Sequence, residues 1–116
     1  MPLAILTEAE RRTLDAYVEL LRRRLDERLL AVRVFGSVAR GESWPQGMPI
    51  RSELDLLVLV REPLEPELQQ ELVNATYPLF LESGRVIGPQ FRTPAQHAAS
   101  PSREGIDRDA VELPLR

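Results

Sequence analysis

This chain contains two strand-like stretches, VRVFGSVARGE (residues 32–42) and SELDLLVLV (residues 52–60), from which its fold can be predicted. Each contains a short apolar run with the composition of a strand. The first run ends at a Gly-Ser pair, and the second opens with two acids, Glu53 and Asp55, spaced two apart. Buried strands rarely admit carboxylates without a partner or a cation. The acids at the start of the second strand therefore need a chemical explanation.

Glu53 and Asp55 are predicted to lie on one face of the second strand, because residues two apart on a strand project the same way. Two like charges this close raise each other's pKa unless a cation lies between them. Mg²⁺ is the hard, oxygen-seeking ion that suits such a pair. The alternative is a solvated pair at a strand end, or one neutralised by a nearby arginine: Arg33, Arg40 or Arg51.

Gly36 and Ser37 end the first strand and favour a phosphate contact. Glycine lets the backbone turn sharply and approach a ligand. A serine at the start of one helical turn offers a hydroxyl beside free backbone N–H groups, and both suit a phosphate. Alone, this is a common helix start. Combined with paired acids on the next strand, it predicts that phosphate and metal meet in one cleft.

The remaining elements surround these two strands. Thr7 and Glu10 have the spacing of a capping box, and apolar residues then recur with helical period, which predicts an amphipathic helix over 7–30. Strands are predicted over 31–35, 54–60 and 85–91. Pro89 would confine the third strand to a sheet edge or a bulge. Residues 67–76 are helical by composition, and Pro78 is expected to kink or end that helix.

The other segments are punctuated by turn residues. SWPQGMPIR, residues 43–51, is interpreted as an exposed loop. After Thr93 the chain is rich in Pro and Ser, and residues 110–113 are a candidate last strand or arm. The order helix, strand, strand, helix, strand predicts a small α/β sandwich in one domain, residues 1–116, with helices packed on one face of a mixed sheet.

Composition excludes several classes of function. Apolar residues make up 43% and charged residues 28%, which is typical of a globular domain. The chain has no Cys and one His, so thiolate and His-rich zinc sites are excluded, and it has no Lys to act in catalysis. The net charge of −3 argues against a general nucleic-acid binder. No signal peptide or membrane span is recognisable, so we expect a cytoplasmic protein.

GSVARGE followed by SELDLLVLV resembles the nucleotidyltransferases of the polymerase-beta-like superfamily, in particular the minimal nucleotidyltransferase domains, whose pattern is GSxARG, a loop, then SDxDLxV. The resemblance covers residues 35–60 well. It implies an α+β sandwich of the polymerase-beta-like palm type. The family's site residues carry over as Gly36, Ser37 and Arg40 for the nucleotide, and as Glu53 and Asp55 for the metal.

The resemblance implies Mg²⁺-dependent transfer of a nucleoside monophosphate from a nucleoside triphosphate, expected to be ATP, to an acceptor hydroxyl, with release of pyrophosphate. Two Mg²⁺ ions would join the carboxylates to the phosphates. Such domains often occur beside a helical HEPN-type partner as a toxin–antitoxin pair, and neutralise it by binding or adenylylating it. A homo-oligomer is the other expected assembly. The acceptor stays open between a protein hydroxyl, a small molecule and a nucleic-acid end.

The sequence departs from the family pattern in three respects. The first acid is Glu53 where the family usually has Asp. No acid occurs in GRVIGPQF, residues 84–91, where a third carboxylate is expected, and Gln90 is the only residue there that could offer a side-chain oxygen. The loop over 43–51 is longer than the family's link. The alternatives are therefore a catalytically degenerate module that binds a helical partner without chemistry, or an unrelated small α/β domain.

Three polar residues near the C-terminus are further candidates for a functional role. His97 has no nearby acid in sequence and is interpreted as a surface or packing residue rather than a general base. Asp107 and Asp109 repeat the paired-acid spacing, but no Gly-Ser turn precedes them, and we interpret them as solvated. The sequence leaves open whether either replaces the missing third carboxylate.

Overall fold

A computed structural model describes residues 2–41 and 53–115. The predicted loop over 43–51 lies outside the described residues. In the part of the chain described, no helix is both long and apolar enough to cross a membrane. The helices are α1 (Glu8–Leu25), α2 (Pro66–Asn74), α3 (Thr76–Ser83), α4 (Pro94–Ala98) and α5 (Arg103–Asp109). The strands are β1 (Leu29–Phe35), β2 (Leu54–Val60), β3 (Ile87–Arg92) and β4 (Val111–Glu112).

The four strands form one mixed sheet in the order β3-β2-β1-β4. β1 pairs antiparallel with both β2 and β4, and β2 pairs parallel with β3. β3 lies at an edge of the sheet, as Pro89 predicts, because proline has no N–H to donate to a second neighbour. The predicted bounds of β2 agree with the structure, and the candidate last strand is present as β4.

Helices α1, α2 and α3 cover one face of the sheet, which confirms the predicted fold class. The core between them and the sheet is largely aliphatic: its innermost residues include Leu14, Tyr17, Leu21, Val32, Val34, Leu56, Val58 and Leu72. On the opposite face, Ile106 of α5 packs against Leu57 and Leu59 of β2 and forms a smaller cluster. Because side chains alternate along β2, Asp55 lies on the same face as Leu57 and Leu59.

The first helix begins as predicted and ends earlier than predicted. The Thr7 backbone N–H donates to Glu10 Oε1 at 2.8 Å, and the Glu10 N–H donates to Thr7 Oγ1 at 3.1 Å, which completes the capping box. The predicted extension to residue 30 is wrong, because Leu29 leaves the helix to pair with Val60 in the sheet. A turn of 3-10 helix, Asp26–Arg28, makes the change of direction.

Pro78 neither kinks nor ends the helix that contains it. The break falls before it, at Ala75, and α3 then begins at Thr76 with Pro78 in its first turn. The first N–H groups of a helix have no intrahelical acceptor, so a proline there removes no hydrogen bond.

The segment after Thr93 is more regular than its composition suggests. It forms the short helices α4 and α5, which were not predicted. The α4 helix starts with a second capping box, in which Thr93 and Gln96 exchange hydrogen bonds at 2.8 and 3.1 Å. The Thr-x-x-Gln spacing and Pro94 at the first helical position are the sequence signals that could have identified it.

Candidate active site

The glycine bend and Asp55 are in contact. Phe35, the last residue of β1, pairs with Asp55 across the sheet, so Gly36 follows directly beside the carboxylate. Gly36 has φ +80, a left-handed conformation that L side chains rarely adopt, and a Cβ atom there would lie 2.5 Å from Asp55 Oδ2. Both the backbone angle and the space therefore require glycine at this position.

Glu53 and Asp55 converge over Gly88 of β3. Gly88 pairs with Asp55 in the parallel register. A Cβ atom at Gly88 would lie 3.3 Å from Glu53 Oε2 and 3.7 Å from Asp55 Oδ1, so both carboxylates reach the same point. The structure thus places the two acids side by side, on the face that contains the glycine bend. Gly88 was not among the predicted site residues, because its position depends on the register between β2 and β3.

The electrostatics of the pair are unfavourable without a cation. Partial burial, followed by the negative charge of Glu53, raises the pKa of Asp55 above its ordinary value. Within the described ranges, no arginine forms an ion pair with either acid: Arg33 contacts Glu112 at 3.1 Å and Arg40 contacts Asp109 at 3.5 Å. Arg51, the third candidate partner, lies outside the described residues.

The turn after Gly36 contains the other predicted nucleotide contacts. The Arg40 N–H donates to the Gly36 carbonyl at 3.2 Å, and the Gly41 N–H donates to the Val38 carbonyl at 3.0 Å. These bonds close about one helical turn, in which Ser37 directly follows the bend. The Arg40 side chain extends to Asp109 of α5. Arg40 therefore connects this turn to α5, and its approach to phosphates stays a prediction.

Gln90 does not present a free oxygen to the acids. It lies two residues after Gly88 in β3, and its Oε1 accepts a hydrogen bond from Arg92 Nη2 at 2.7 Å. Residues 2–41 and 53–115 contain no group of three or more His, Cys, Asp or Glu side chains able to hold a metal ion. The described site is therefore a pair of carboxylates.

The two C-terminal acids, Asp107 and Asp109, contact side chains outside the pair of Glu53 and Asp55. Asp107 Oδ1 lies 2.8 Å from His97 Nε2, and this hydrogen bond lowers the pKa of Asp107. Asp109 contacts Arg40. Neither acid joins Glu53 and Asp55 in a metal-binding group. His97 is buried, which agrees with the packing alternative of its interpretation and not with the surface alternative. Its acid partner was missed because α4 and α5, which bring the two together, were not predicted.

The donor set fits a hard divalent cation. Two adjacent carboxylates supply the oxygen ligands that Mg²⁺ prefers. A cation between them would offset their repulsion and the effect of burial that raises the pKa of Asp55. The pair provides fewer protein ligands than a three-carboxylate site, so water and substrate phosphates would complete the coordination of Mg²⁺.

The known proteins to which this chain is similar are solved structures. No protein-family model matches the chain, and no curated protein matches it in sequence. One solved structure, of a protein described as a candidate minimal nucleotidyltransferase, is 30% identical, with a TM-score of 0.58, over 95% of this chain and 98% of that chain. Two others are variants of an MntA–HpeT toxin–antitoxin complex. The first is 17% identical, with a TM-score of 0.58, over 89% of this chain and 72% of that one. The second is 15% identical, with a TM-score of 0.55, over 88% and 73%.

Proposed function

This chain belongs to the minimal nucleotidyltransferases, and we propose that it transfers a nucleoside monophosphate from a nucleoside triphosphate, expected to be ATP, to an acceptor hydroxyl. A bond forms between the acceptor oxygen and the α-phosphorus, and the bond from that phosphorus to the oxygen bridging the β-phosphate breaks. Pyrophosphate leaves, and the hydroxyl proton passes to solvent. One observation carries the proposal: the Asp55 carboxylate touches the Gly36 bend and converges with Glu53 over Gly88.

The residues of the chain act by binding and positioning. Glu53 and Asp55 would hold Mg²⁺, with two ions expected, and Gly36 and Ser37 would contact the phosphates. When bound, Mg²⁺ lowers the pKa of an attacking hydroxyl and neutralises charge on the leaving group. Asp55 lies in a strand that is hydrogen-bonded on both sides, by β1 and β3. This support keeps the carboxylates in place, which matters because small displacements of reacting groups cost large factors in rate.

The test compares Asp55→Asn with Asp15→Asn, a control at an exposed position of α1. Isothermal titration with Mg²⁺ and each of the four nucleoside triphosphates measures binding, and transfer of α-³²P label to protein or extract acceptors measures activity. We expect Asp55→Asn to abolish Mg²⁺-dependent binding and label transfer, and Asp15→Asn to retain both. Label transfer that persists in Asp55→Asn would show that the site is assigned wrongly.

A second candidate function is a non-catalytic module that binds a helical HEPN-type partner as its antitoxin. Two solved structures of similar fold are toxin–antitoxin complexes. The described residues lack a third carboxylate at the site. Tyr77 and Leu81 of α3, which are 62% and 64% exposed, are large apolar side chains on the surface. These observations favour a protein partner or a homo-oligomer.

The two candidates differ in their response to Asp55→Asn when a HEPN-type protein is added. Size-exclusion chromatography measures complex formation, and α-³²P label on the partner measures transfer. The non-catalytic module predicts an unchanged complex and no label with either form of the chain. The transferase predicts label on its acceptor with the wild type and none with Asp55→Asn.

A further inference from the structure

Gln90 and Arg92 lie on the same face of the sheet as the two acids. In the parallel register, Gly88 pairs with Asp55, Gln90 with Leu57 and Arg92 with Leu59. Because alternate residues of a strand share a face, Gly88, Gln90 and Arg92 form one row beside Asp55. Gly88 and Arg92 are four residues apart, or about 13 Å along the strand, and Gln90 lies between them.

Arg92 has only neutral hydrogen-bond partners among the described residues. Its Nη2 donates to Gln90 Oε1 at 2.7 Å, and its Nη1 donates to Ser100 Oγ at 3.0 Å and to Ser102 Oγ at 3.4 Å. A guanidinium stays charged at any pH in the working range. Its positive charge is therefore not neutralised by a carboxylate in residues 2–41 and 53–115, although it shares a face with two acids.

The contact with Arg92 determines which end of the Gln90 amide is available. A guanidinium has only donors, so the amide group that faces it must be the oxygen. The Nε2 group of Gln90, with two N–H donors, is left for another acceptor. Gln90 is exposed, and no described residue accepts a hydrogen bond from Nε2. This geometry favours a donor to an anionic oxygen over a metal ligand.

We propose that Gln90, oriented by Arg92, binds an anionic phosphate oxygen of the nucleotide on the β3 side of Asp55, opposite the Gly36 bend on the β1 side. The inference rests on the proposed function and adds a substrate contact to it. Gln90 donates to the phosphate through Nε2. Arg92 orients the amide and contributes positive charge, while Ser100 and Ser102 hold the guanidinium. Charge-assisted hydrogen bonds of this kind are the stronger ones at phosphates.

The structural alternative is that Arg92 only connects β3 to the segment before α5. That role affects stability and leaves nucleotide affinity unchanged. The test therefore measures both, by thermal unfolding and by isothermal titration of ATP and the other three nucleoside triphosphates with Mg²⁺. The variant is Gln90→Glu, which replaces the donor by a carboxylate, and Gln69→Glu on α2 is the control with the same charge change at an exposed position.

We expect Gln90→Glu to weaken nucleotide binding at least 10-fold and Gln69→Glu to change it less than twofold. Arg92→Gln is expected to weaken nucleotide binding to a similar degree. Arg92→Lys, which keeps the positive charge, is expected to bind nucleotide more tightly than Arg92→Gln and less tightly than the wild type. Unchanged or tighter binding by Gln90→Glu, as a metal-ligating residue would give, overturns the proposal. If Gln90→Glu does not fold, Gln90→Ala is measured in the same way, and unchanged affinity again overturns it.

Asp55→Asn separates this inference from the proposed function. If Asp55→Asn abolishes Mg²⁺-dependent nucleotide binding while Gln90→Glu and Arg92→Gln bind as the wild type does, the inference fails and the proposed function stands. A wild-type chain that binds none of the four nucleoside triphosphates overturns both.

Discussion

Glycine is required at position 36 for two reasons, the left-handed backbone and the lack of space for a Cβ atom. Comparison of alanine substitutions at Gly36 and Gly41 separates the two. Gly36 and Gly41 both have left-handed φ values, +80 and +75, but a Cβ atom at Gly41 would meet none of the described residues within 4 Å. We expect Gly36→Ala and Gly41→Ala each to lose about 1 kcal/mol of unfolding free energy from backbone strain. Only Gly36→Ala is expected to lose nucleotide and Mg²⁺ binding, because its Cβ displaces Asp55. Urea denaturation and titration calorimetry measure the two effects. Equal nucleotide affinities in the two variants would contradict this prediction.

Asp55 is expected to destabilise the metal-free fold. Its pKa is raised by burial and by Glu53, so the folded chain binds more protons than the unfolded chain between the two pKa values. The free energy of unfolding then falls as pH rises from the unfolded-state pKa through the folded-state pKa. We therefore expect Asp55→Asn to be more stable than the wild type at neutral pH in EDTA, and the difference to shrink in acid below both pKa values.

Urea denaturation across this pH range, with and without Mg²⁺, measures the effect of Asp55. Added Mg²⁺ should stabilise the wild type and leave Asp55→Asn unchanged, because ligand binding to the folded state alone raises its stability. Asp15→Asn serves as the exposed control. If Asp55→Asn is less stable than the wild type at neutral pH without metal, the prediction is wrong, because interactions in the fold then stabilise the charged carboxylate of Asp55.

Among contacts between elements, the ion pair of Glu10 and Arg85 connects the first turn of α1 to the chain before β3. Arg85 Nε lies 3.1 Å from Glu10 Oε2, and both side chains are almost completely buried. We expect Arg85→Ala to cost about 3–5 kcal/mol, because Glu10 would stay buried without this guanidinium. The exposed pair of Arg22 and Glu19 is the control, and Arg22→Ala should cost about 0–1 kcal/mol. Chemical denaturation measures both, and similar costs would argue against the prediction.

The elements that were predicted correctly are those with strong local signals. The apolar run of β2 has a clear start and a proline-rich exit, and the capping box of Thr7 marks the start of α1. The end of α1 was misplaced because Leu29 continues the apolar spacing of the helix. Only its pairing with Val60, far away in sequence, assigns it to a strand. The short α5 helix is supported by packing of Ile106 on the sheet, which has no local signature.

In the candidate site too, the features that depend on local sequence could be predicted, and those that depend on contacts between distant segments could not. The period of a strand places Glu53 and Asp55 on one face without knowledge of the fold. The position of Gly88 over both acids depends on the register of β3 against β2, and the contacts of Gln90 with Arg92 depend on side-chain geometry. Such long-range relations are absent from local sequence patterns.

For the molecule as a whole, the two faces of the sheet are expected to contribute differently to function. Ile106 packs on the site face and Leu72 in the main core, and both are buried. Ile106→Ala and Leu72→Ala should each cost about 2–5 kcal/mol of stability. Only Ile106→Ala is expected to weaken nucleotide binding, since α5 also carries Asp109, which holds Arg40 beside the bend. Calorimetry under conditions where both variants are folded measures this difference, and equal affinities would contradict it.

The parallel pairing of β2 with β3 affects the order in which the chain assembles. Helices α2 and α3 separate β2 from β3 in the chain and form the crossover between these parallel strands, whereas β1 and β2 are consecutive strands. Contacts between distant segments form late, because the entropy of closing the intervening loop is lost first. During synthesis, a nascent chain that has not emerged beyond residue 88 can pair β1 with β2 but lacks the strand on which both carboxylates converge. We expect metal binding to begin only when translation and folding of β3 are complete.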